Sequence, residues 1–224
     1  MESVQKLTHI EHILKRPDSY VGPVDLNVEP YWVLNSNKSQ FEKKNLKYSP
    51  ALLKIFDEIL VNAIDRNSMH PKNVTSISVD IDKESGAVTI ENNGPLGGIG
   101  VRMHEKEGLW NPELTFGHLL TSTNYDDSKK RVVGGRNGYG AKLTNIYSSD
   151  FSIVIKDHEN KQTYTQKWSK NMTVCEPPKI KKHSGATSSV SVTFVPDWRR
   201  FGLSKMENAI YKIFQKRVWD ANIC

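Results

Sequence analysis

Four glycines fall within seven residues of this chain, at positions 134, 135, 138 and 140, and Lys142 follows them. Glycine lets a backbone approach a ligand closely, and a glycine-rich turn that leads into a helix presents free N–H groups and a partial positive charge. Residues 143–147 can begin such a helix, and Arg136 adds a second full positive charge. Residues 134–142 are therefore a candidate phosphate cradle, and the alternative is a flexible surface loop.

A second candidate group lies on a predicted helix at residues 50–67. Glu58, Asn62 and Asp65 are spaced at i, i+4 and i+7, so their side chains form one stripe beside the apolar face of the helix. A carboxylate one turn from an amide oxygen can activate a water molecule and help to hold a divalent cation. The alternative is an ordinary polar margin on an amphipathic helix.

Two further polar stretches follow along the chain. Asn92 and Asn93 come directly after a predicted strand, where an amide can pair with the edge of a base, and Gly94 lets the backbone pass close to the ring. Residues 119–127 are rich in small hydroxyls that can bond sugar or phosphate oxygens. Taken singly, an Asn-Gly turn and a helix cap would explain these stretches equally well.

The conjunction and the order of these four features indicate a nucleotide site. The site is not a Walker P-loop, because the pattern Gly-x-x-x-x-Gly-Lys-Ser/Thr is absent. It is not the Rossmann fingerprint either, because the glycine spacing is reversed and no βαβ unit surrounds it.

The elements that position these residues follow from apolar periodicity. Residues 50–67 form the clearest helix, which Ser49 can cap and in which Pro50 suits the first turn. Its wide apolar face consists of Leu52, Ile55, Phe56, Ile59, Leu60 and Ala63. Other predicted elements are helices at 7–15, 114–120 and 205–219, hairpins at 75–90 and 151–168, a strand at 188–195, a loop or hairpin at 35–48, and a solvated basic loop at 179–183.

Helices and hairpins alternate here without a βαβ rhythm. We therefore expect an α+β fold, a two-layer sandwich in which a mixed, mostly antiparallel sheet is covered on one face by helices.

Length, net charge, hydropathy and cysteine content limit the classes of protein to which the chain can belong. The chain has 224 residues, a net charge of +6 and a mean hydropathy of −0.55, so one large soluble domain is expected. No apolar run could span a bilayer, and the N-terminus lacks the apolar stretch of a signal peptide. Cys175 and Cys224 form no disulfide framework or metal site and indicate a reducing compartment. The positive charge is consistent with nucleotide or nucleic-acid partners.

Four long runs are specific to one family. They are IEHILKRPDSYVG at 10–22, KIFDEILVNA at 54–63, FGHLLTSTNYDD at 116–127 and GGRNGYGAKLTN at 134–145. Together they resemble the N-terminal ATPase domain of eukaryotic-type DNA topoisomerase II, over nearly the whole chain. That domain has the Bergerat-type ATPase fold shared by gyrase, heat-shock chaperones, histidine kinases and MutL proteins.

The resemblance implies roles for individual residues, with ATP and Mg²⁺ as the cofactors. Glu58 matches the general base that activates the attacking water, and Asn62 matches the Mg²⁺ ligand. Asp65 matches a position that supports the base side of the pocket, and Asn93 matches the contact to the adenine amino group. The hydroxyl loop on ribose and phosphates corresponds to Ser122, Thr123 and Asn124. The lid around the triphosphate corresponds to Gly135, Arg136, Asn137, Gly138, Tyr139, Gly140, Ala141 and Lys142, with Lys142 on a phosphate.

The resemblance also implies an architecture and partners. Residues 1–22 would be an N-terminal arm and first helix, and residues 23–224 the ATP-binding domain, ending in a helix toward an absent transducer domain. ATP-driven closure of a homodimer would power passage of one DNA duplex through another in the full type II topoisomerase, with no membrane partner. This fragment alone is expected to be weakly active. It would act in the nucleus of a cellular eukaryote, or in the virion or host cell if the source is viral, and would not be secreted.

Three departures from the family pattern stand at or beside positions of the predicted site. The turn at residues 93–100 is two residues longer than the family's and lacks its final proline. Arg66 stands where close relatives have asparagine, and Val190 stands where family members place a threonine that helps to fix adenine. With valine there, Ser189 or a water would have to substitute.

Three other readings of the chain compete with this one. A nucleotide-gated dimerisation module with negligible turnover would carry the same site. A protein or histidine kinase of the same fold is disfavoured, since no phosphoacceptor helix with a plausible histidine is present and the four runs are specific to topoisomerases. A DNA-binding module alone rests only on the net charge of +6 and would leave the site residues unexplained.

Overall fold

The computed structural model describes residues 4–35, 37, 40–69, 71–95, 98–121 and 138–223. In these ranges the α-helices are α1 (His9–Lys15), α2 (Pro50–Met69), α3 (Asn111–Gly117), α4 (Gly140–Ile146) and α5 (Asn208–Ile223). The strands are β1 (Asn27–Leu34), β2 (Phe41–Tyr48), β3 (Ser76–Ile81), β4 (Val88–Gly94), β5 (Ser148–Asp157), β6 (Gln162–Ser169), β7 (Val174–Cys175), β8 (Lys179–Lys182) and β9 (Ser188–Pro196). None of the described helices is both long and apolar enough to cross a membrane.

Helix α2 supplies one side of the core. The hydroxyl of Ser49 accepts a hydrogen bond from the backbone N–H of Leu52 at 3.3 Å, which confirms the predicted cap. The helix extends two residues beyond the predicted end, to Met69. Its buried face matches the predicted apolar face and consists of Ala51, Leu52, Ile55, Phe56, Ile59, Leu60 and Ala63.

The main sheet has the strand order β3-β4-β9-β5-β6-β7, and β8 also pairs with β6. Every pairing between the described strands of this sheet is antiparallel. Burial alternates along β4, so that Val88, Ile90 and Asn92 point into the molecule, where helices α2, α3 and α4 contact the sheet. The predicted α+β sandwich with a mostly antiparallel sheet is confirmed.

Helix α5 packs against both α2 and the separate hairpin of β1 and β2. The ring of Phe214 stacks on that of Phe56, with centroids 4.1 Å apart and planes 10° from parallel. An ion pair joins Arg217 Nε to Asp57 Oδ1 at 2.7 Å. The last described helix is therefore fixed to the middle of α2 by two adjacent contacts.

Three elements differ from their predictions. The helix expected at 114–120 lies at Asn111–Gly117, because Pro112 suits the first turn of a helix and starts it earlier. Residues 35–48 were predicted as a loop or hairpin, and Phe41–Tyr48 is one strand of a hairpin whose other strand, β1, lies before the predicted segment. The basic cluster predicted as a loop is strand β8, whose four residues are all exposed. Lysine has a low strand propensity, so the pairing with β6 that orders β8 left no local signal.

Candidate active site

A cavity of about 1230 Å³ opens between α2, the strands β4 and β9, helix α3 and the first turn of α4. The predicted site residues that line it are Glu58, Asn62, Asp65, Gly138, Tyr139, Gly140, Ala141 and Lys142. Six other predicted residues lie outside the described ranges: Ser122, Thr123, Asn124, Gly135, Arg136 and Asn137. The structure thus brings the stripe on α2 and the end of the glycine run to one cavity, while the binding roles of these residues stay predictions.

The carboxylate of Glu58 lies between the ammonium group of Lys54 and the backbone of Gly140. On one side, Lys54 Nζ is 2.5 Å from Glu58 Oε1, an ion pair across one turn of α2. On the other side is the backbone of Gly140, where an added Cβ would come within 2.1 Å of Glu58 Oε2. Only glycine allows this approach, so the first turn of α4 rests directly on the carboxylate.

Asn62 presents an exposed amide to the cavity, one turn along α2 from Glu58. In the described part of the chain, no group of three His, Cys, Asp or Glu residues could hold a metal by itself. Mg²⁺ usually keeps several waters and takes one or two protein ligands together with phosphate oxygens. A single amide oxygen therefore fits an ion that arrives with phosphates, and does not fit a metal site built from protein alone.

The amide that faces the cavity is Asn92, and Asn93 faces the other way. Asn92 is 6% exposed and lines the cavity. The side chain of Asn93 is on the opposite face of β4, where its Oδ1 accepts hydrogen bonds from the hydroxyls of Ser76 at 2.8 Å and Thr75 at 3.3 Å. The prediction that Asn93 is the base-contacting amide is therefore wrong by one position, because it is the side chain of the preceding Asn92 that faces the cavity.

The same alternation of side chains between the two faces of the sheet decides which residue of β9 lies beside Asn92 in the cavity. Val190 pairs with Asn92 and lines the cavity together with Val192, whereas Ser189 pairs with Asn93 on the other face. Ser189 therefore cannot substitute for the threonine that the resemblance implies at the position of Val190. At this end of the cavity, Val190 and Val192 form an apolar wall beside the amide of Asn92.

The ammonium of Lys142 is held by two backbone carbonyls. It donates hydrogen bonds to the carbonyl oxygens of Gly138 and Thr121, both at 2.7 Å. The side chain is 4% exposed, and this burial lowers the pKa of Lys142 from 10.5 to about 8. Lys142 thus joins the two backbone positions that flank residues 122–137, at the edge of the cavity.

Among the cavity residues that were not predicted as site residues, three carry charge or an aromatic contact at its walls: Lys54, Tyr20 and Arg66. Lys54 could have been found, because it stands four residues before Glu58 on the same helix. Tyr20 packs against Tyr139 with ring centroids 6.3 Å apart, a contact across more than a hundred residues that no local pattern reveals. Arg66 was noted only as a departure from the family.

The cavity has two chemically different ends. Glu58, Asn62 and Lys142 mark a polar end beside the first turn of α4, and Asn92 with the valines of β9 marks an apolar end. Arg66 is eight residues beyond Glu58 on α2, or about 12 Å along the axis at 1.5 Å per residue. Such a length suits a molecule with an anionic group at one end and a flat ring at the other.

Comparisons with known proteins agree with this arrangement. No family model matches the chain. The chain is 44% identical over 221 residues to DNA topoisomerase 2 of Saccharomyces cerevisiae and 47% identical over 219 residues to DNA topoisomerase 2 of Penicillium chrysogenum. These alignments cover 99% and 98% of the chain but only 15% and 14% of the two relatives.

Two solved structures are also similar to the chain in fold and in sequence. The chain is similar to the ATPase region of S. cerevisiae topoisomerase II with a TM-score of 0.94 and 45% identity, over 98% of the chain and 57% of that structure. For the ATPase and transducer domains of DNA topoisomerase II from Balamuthia mandrillaris, the TM-score is 0.92 at 43% identity, over 97% of the chain and 56% of that structure.

Proposed function

Because the chain is a homologue of eukaryotic DNA topoisomerase 2 that matches the ATPase region of that enzyme, we propose that it binds and hydrolyses ATP. In this proposal it acts as the ATP-operated gate of a type II DNA topoisomerase. The observation that carries the proposal is the contact between the Glu58 carboxylate and the first turn of α4, in the same cavity as Asn62.

At the polar end, the residues of the chain would hold and surround the triphosphate. Glu58 accepts a proton from, and orients, the water that attacks the γ-phosphoryl group. The ion pair with Lys54 keeps one oxygen of Glu58 occupied and leaves the other toward α4. Asn62 would hold Mg²⁺, which supplies neutralisation of phosphate charge when it is bound with the nucleotide. Lys142 and the N–H groups of the first turn of α4 add positive charge on the same side.

At the apolar end, the base would enter the slot between β4 and β9. Asn92 is the amide that can accept from the amino group of adenine, since its side chain faces the cavity. Val190 offers an apolar surface at the position where the resemblance implies a threonine that helps to fix adenine. The base contact of this chain therefore rests on Asn92 and on the packing of the ring.

The partners of the proposed gate are a second copy of the chain and, through the whole enzyme, duplex DNA. Closure of the two copies around ATP would couple hydrolysis to the passage of one duplex through another. Turnover by the chain alone is expected to be slow, since ordering of the residues around ATP is tied to that closure.

The experiment compares wild type and Glu58→Ala in two assays, single-turnover ATP hydrolysis and equilibrium binding of a non-hydrolysable ATP analogue with Mg²⁺. We expect Glu58→Ala to lose hydrolysis and to keep binding within about threefold, because the general base contributes to the chemical step more than to binding. Glu84→Ala is the matched control, since Glu84 is an exposed carboxylate in the turn between β3 and β4.

Other outcomes separate the competing functions. Binding and ATP-dependent dimerisation without turnover in wild type, unchanged in Glu58→Ala, would favour the nucleotide-gated dimerisation module. Absence of nucleotide binding in wild type would overturn both.

A further inference from the structure

The guanidinium of Arg66 lies in the wall between the main cavity and a second, smaller one. Its Nη2 donates a hydrogen bond to the carbonyl oxygen of Gly98 at 2.8 Å. Its Nε is buried and has no hydrogen-bond partner among the described residues. The second cavity, of about 240 Å³, shares Arg66, Gly98, Ile99 and Gly100 with the main cavity. Arg66 and the turn that it contacts therefore form the partition between the two spaces.

This partition closes the apolar end of the main cavity. Arg66 is about 12 Å along α2 from Glu58, so it is remote from the polar end. The turn at Gly98 follows β4, the strand whose Asn92 faces the same end of the cavity. A base that contacts Asn92 would therefore have this partition as its neighbour.

Gly98 is held from two sides. On the side of the sheet, Gly98 packs closely against Ser188 and Lys156. A Cβ added to Gly98 would lie 3.0 Å from Ser188 Cβ and 3.1 Å from the carbonyl oxygen of Lys156. On the helix side, the contact given by the structure is the hydrogen bond from Arg66. A guanidinium remains charged when it is buried, and a bond from a charged donor to a carbonyl is stronger than one between neutral groups.

Arg66 reaches the Gly98 carbonyl because its side chain is long and carries several N–H donors. The resemblance to the topoisomerase II ATPase domain implies an asparagine at position 66 and a shorter turn at 93–100, so both sides of this contact depart from the implied family pattern.

We propose that Arg66 is a positioning residue for the base of the nucleotide, which it serves by holding the Gly98 carbonyl and so fixing residues 98–100 as the end wall of the base slot. The inference rests on the proposed function, because it requires a nucleotide whose base occupies the apolar end. Arg66 acts on the base through the turn and takes no part at the phosphate end.

The test separates the base end from the phosphate end by using two ligands. One is a non-hydrolysable ATP analogue with Mg²⁺, and the other is inorganic tripolyphosphate with Mg²⁺, which lacks the base. Arg66→Met removes the guanidinium and keeps the length of the side chain, and Arg66→Lys restores one donor. Arg199→Met is the control, since Arg199 is an exposed arginine outside both cavities.

We expect Arg66→Met to weaken binding of the ATP analogue about tenfold, the effect of losing one charge-assisted hydrogen bond that preorganises the slot. Tripolyphosphate affinity should stay within about twofold of wild type, and Arg66→Lys should recover part of the ATP affinity. Arg199→Met should match wild type with both ligands.

Each result that would contradict the inference has a different meaning. Equal losses for both ligands in Arg66→Met would mean a general structural role and would overturn the inference, as would unchanged ATP binding. If wild type bound neither ligand, the proposed function would fall and this inference with it, whereas normal ATP binding by wild type and Arg66→Met would remove the inference alone.

Discussion

The carboxylate of Glu58 and the backbone of Gly140 are in such close contact that a Cβ built on the glycine would lie 2.1 Å from Glu58 Oε2. These residues come from different elements, α2 and the first turn of α4, and are separated by more than eighty residues of sequence. The contact means that the predicted general base and the end of the predicted lid share one surface. A change in the position of either residue must displace the other.

The first prediction concerns Gly140→Ala. The new methyl group would strike the carboxylate, so Glu58 must swing away or α4 must shift, and we expect ATP hydrolysis to fall by more than about tenfold. Nucleotide binding should fall less, because Asn62 and Asn92 are not touched. Single-turnover hydrolysis and binding of a non-hydrolysable analogue, measured on the same variant, check the difference.

A double-variant comparison tests whether the clash is with Glu58 itself. In the Glu58→Ala background there is no carboxylate to strike, so adding Gly140→Ala should leave the free energy of unfolding unchanged or raise it by up to about 1 kcal/mol, since alanine favours helix more than glycine does. A similar loss of stability in both backgrounds would contradict this account of the contact.

The second prediction separates the two neighbouring asparagines. Asn92→Ala removes the amide that faces the cavity, and we expect ATP affinity to fall about tenfold while the fold is kept. Asn93→Ala removes the acceptor for Ser76 and Thr75, so it should lower the free energy of unfolding by about 1 kcal/mol and leave ATP affinity within about twofold. Isothermal titration and chemical denaturation of both variants decide the matter, and the reverse pattern would restore Asn93 as the base contact.

The third prediction concerns the pH dependence of stability. Burial lowers the pKa of Lys142 to about 8 in the folded chain, whereas the unfolded chain keeps the ordinary value of 10.5. Between these pH values the unfolded chain binds the proton and the folded chain does not, so the free energy of unfolding should rise with pH. Relative to Lys142→Met, wild type should gain up to about 3 kcal/mol from pH 8 to pH 10.5. A pH-independent difference between the two proteins would show that folding leaves the pKa of Lys142 unchanged.

Local sequence patterns predicted most of the features that position the residues at the polar end of the cavity. The apolar face of α2 follows from a helical period, and the same period fixes Glu58, Asn62 and Asp65 on one stripe. The cap at Ser49 follows from residue type alone. These features depend on neighbours within a few residues, and the structure has them where they were expected.

The errors at the apolar end have a different origin. The choice between Asn92 and Asn93 depends on which face of β4 is buried, and the parity of Val88 and Ile90 contained that information. Contacts such as Arg66 with Gly98 and Tyr20 with Tyr139 depend on the packing of distant segments, for which a single sequence carries no local pattern.

Helix α5 is connected to α2 directly beside Glu58. Phe56 and Asp57, which precede Glu58 on α2, contact Phe214 and Arg217 of α5. A displacement of α5 that keeps these two contacts would therefore also move the Glu58 carboxylate. Since a displacement of about 1 Å can cost a hundredfold in rate, the position of α5 would then set the rate of the proposed hydrolysis.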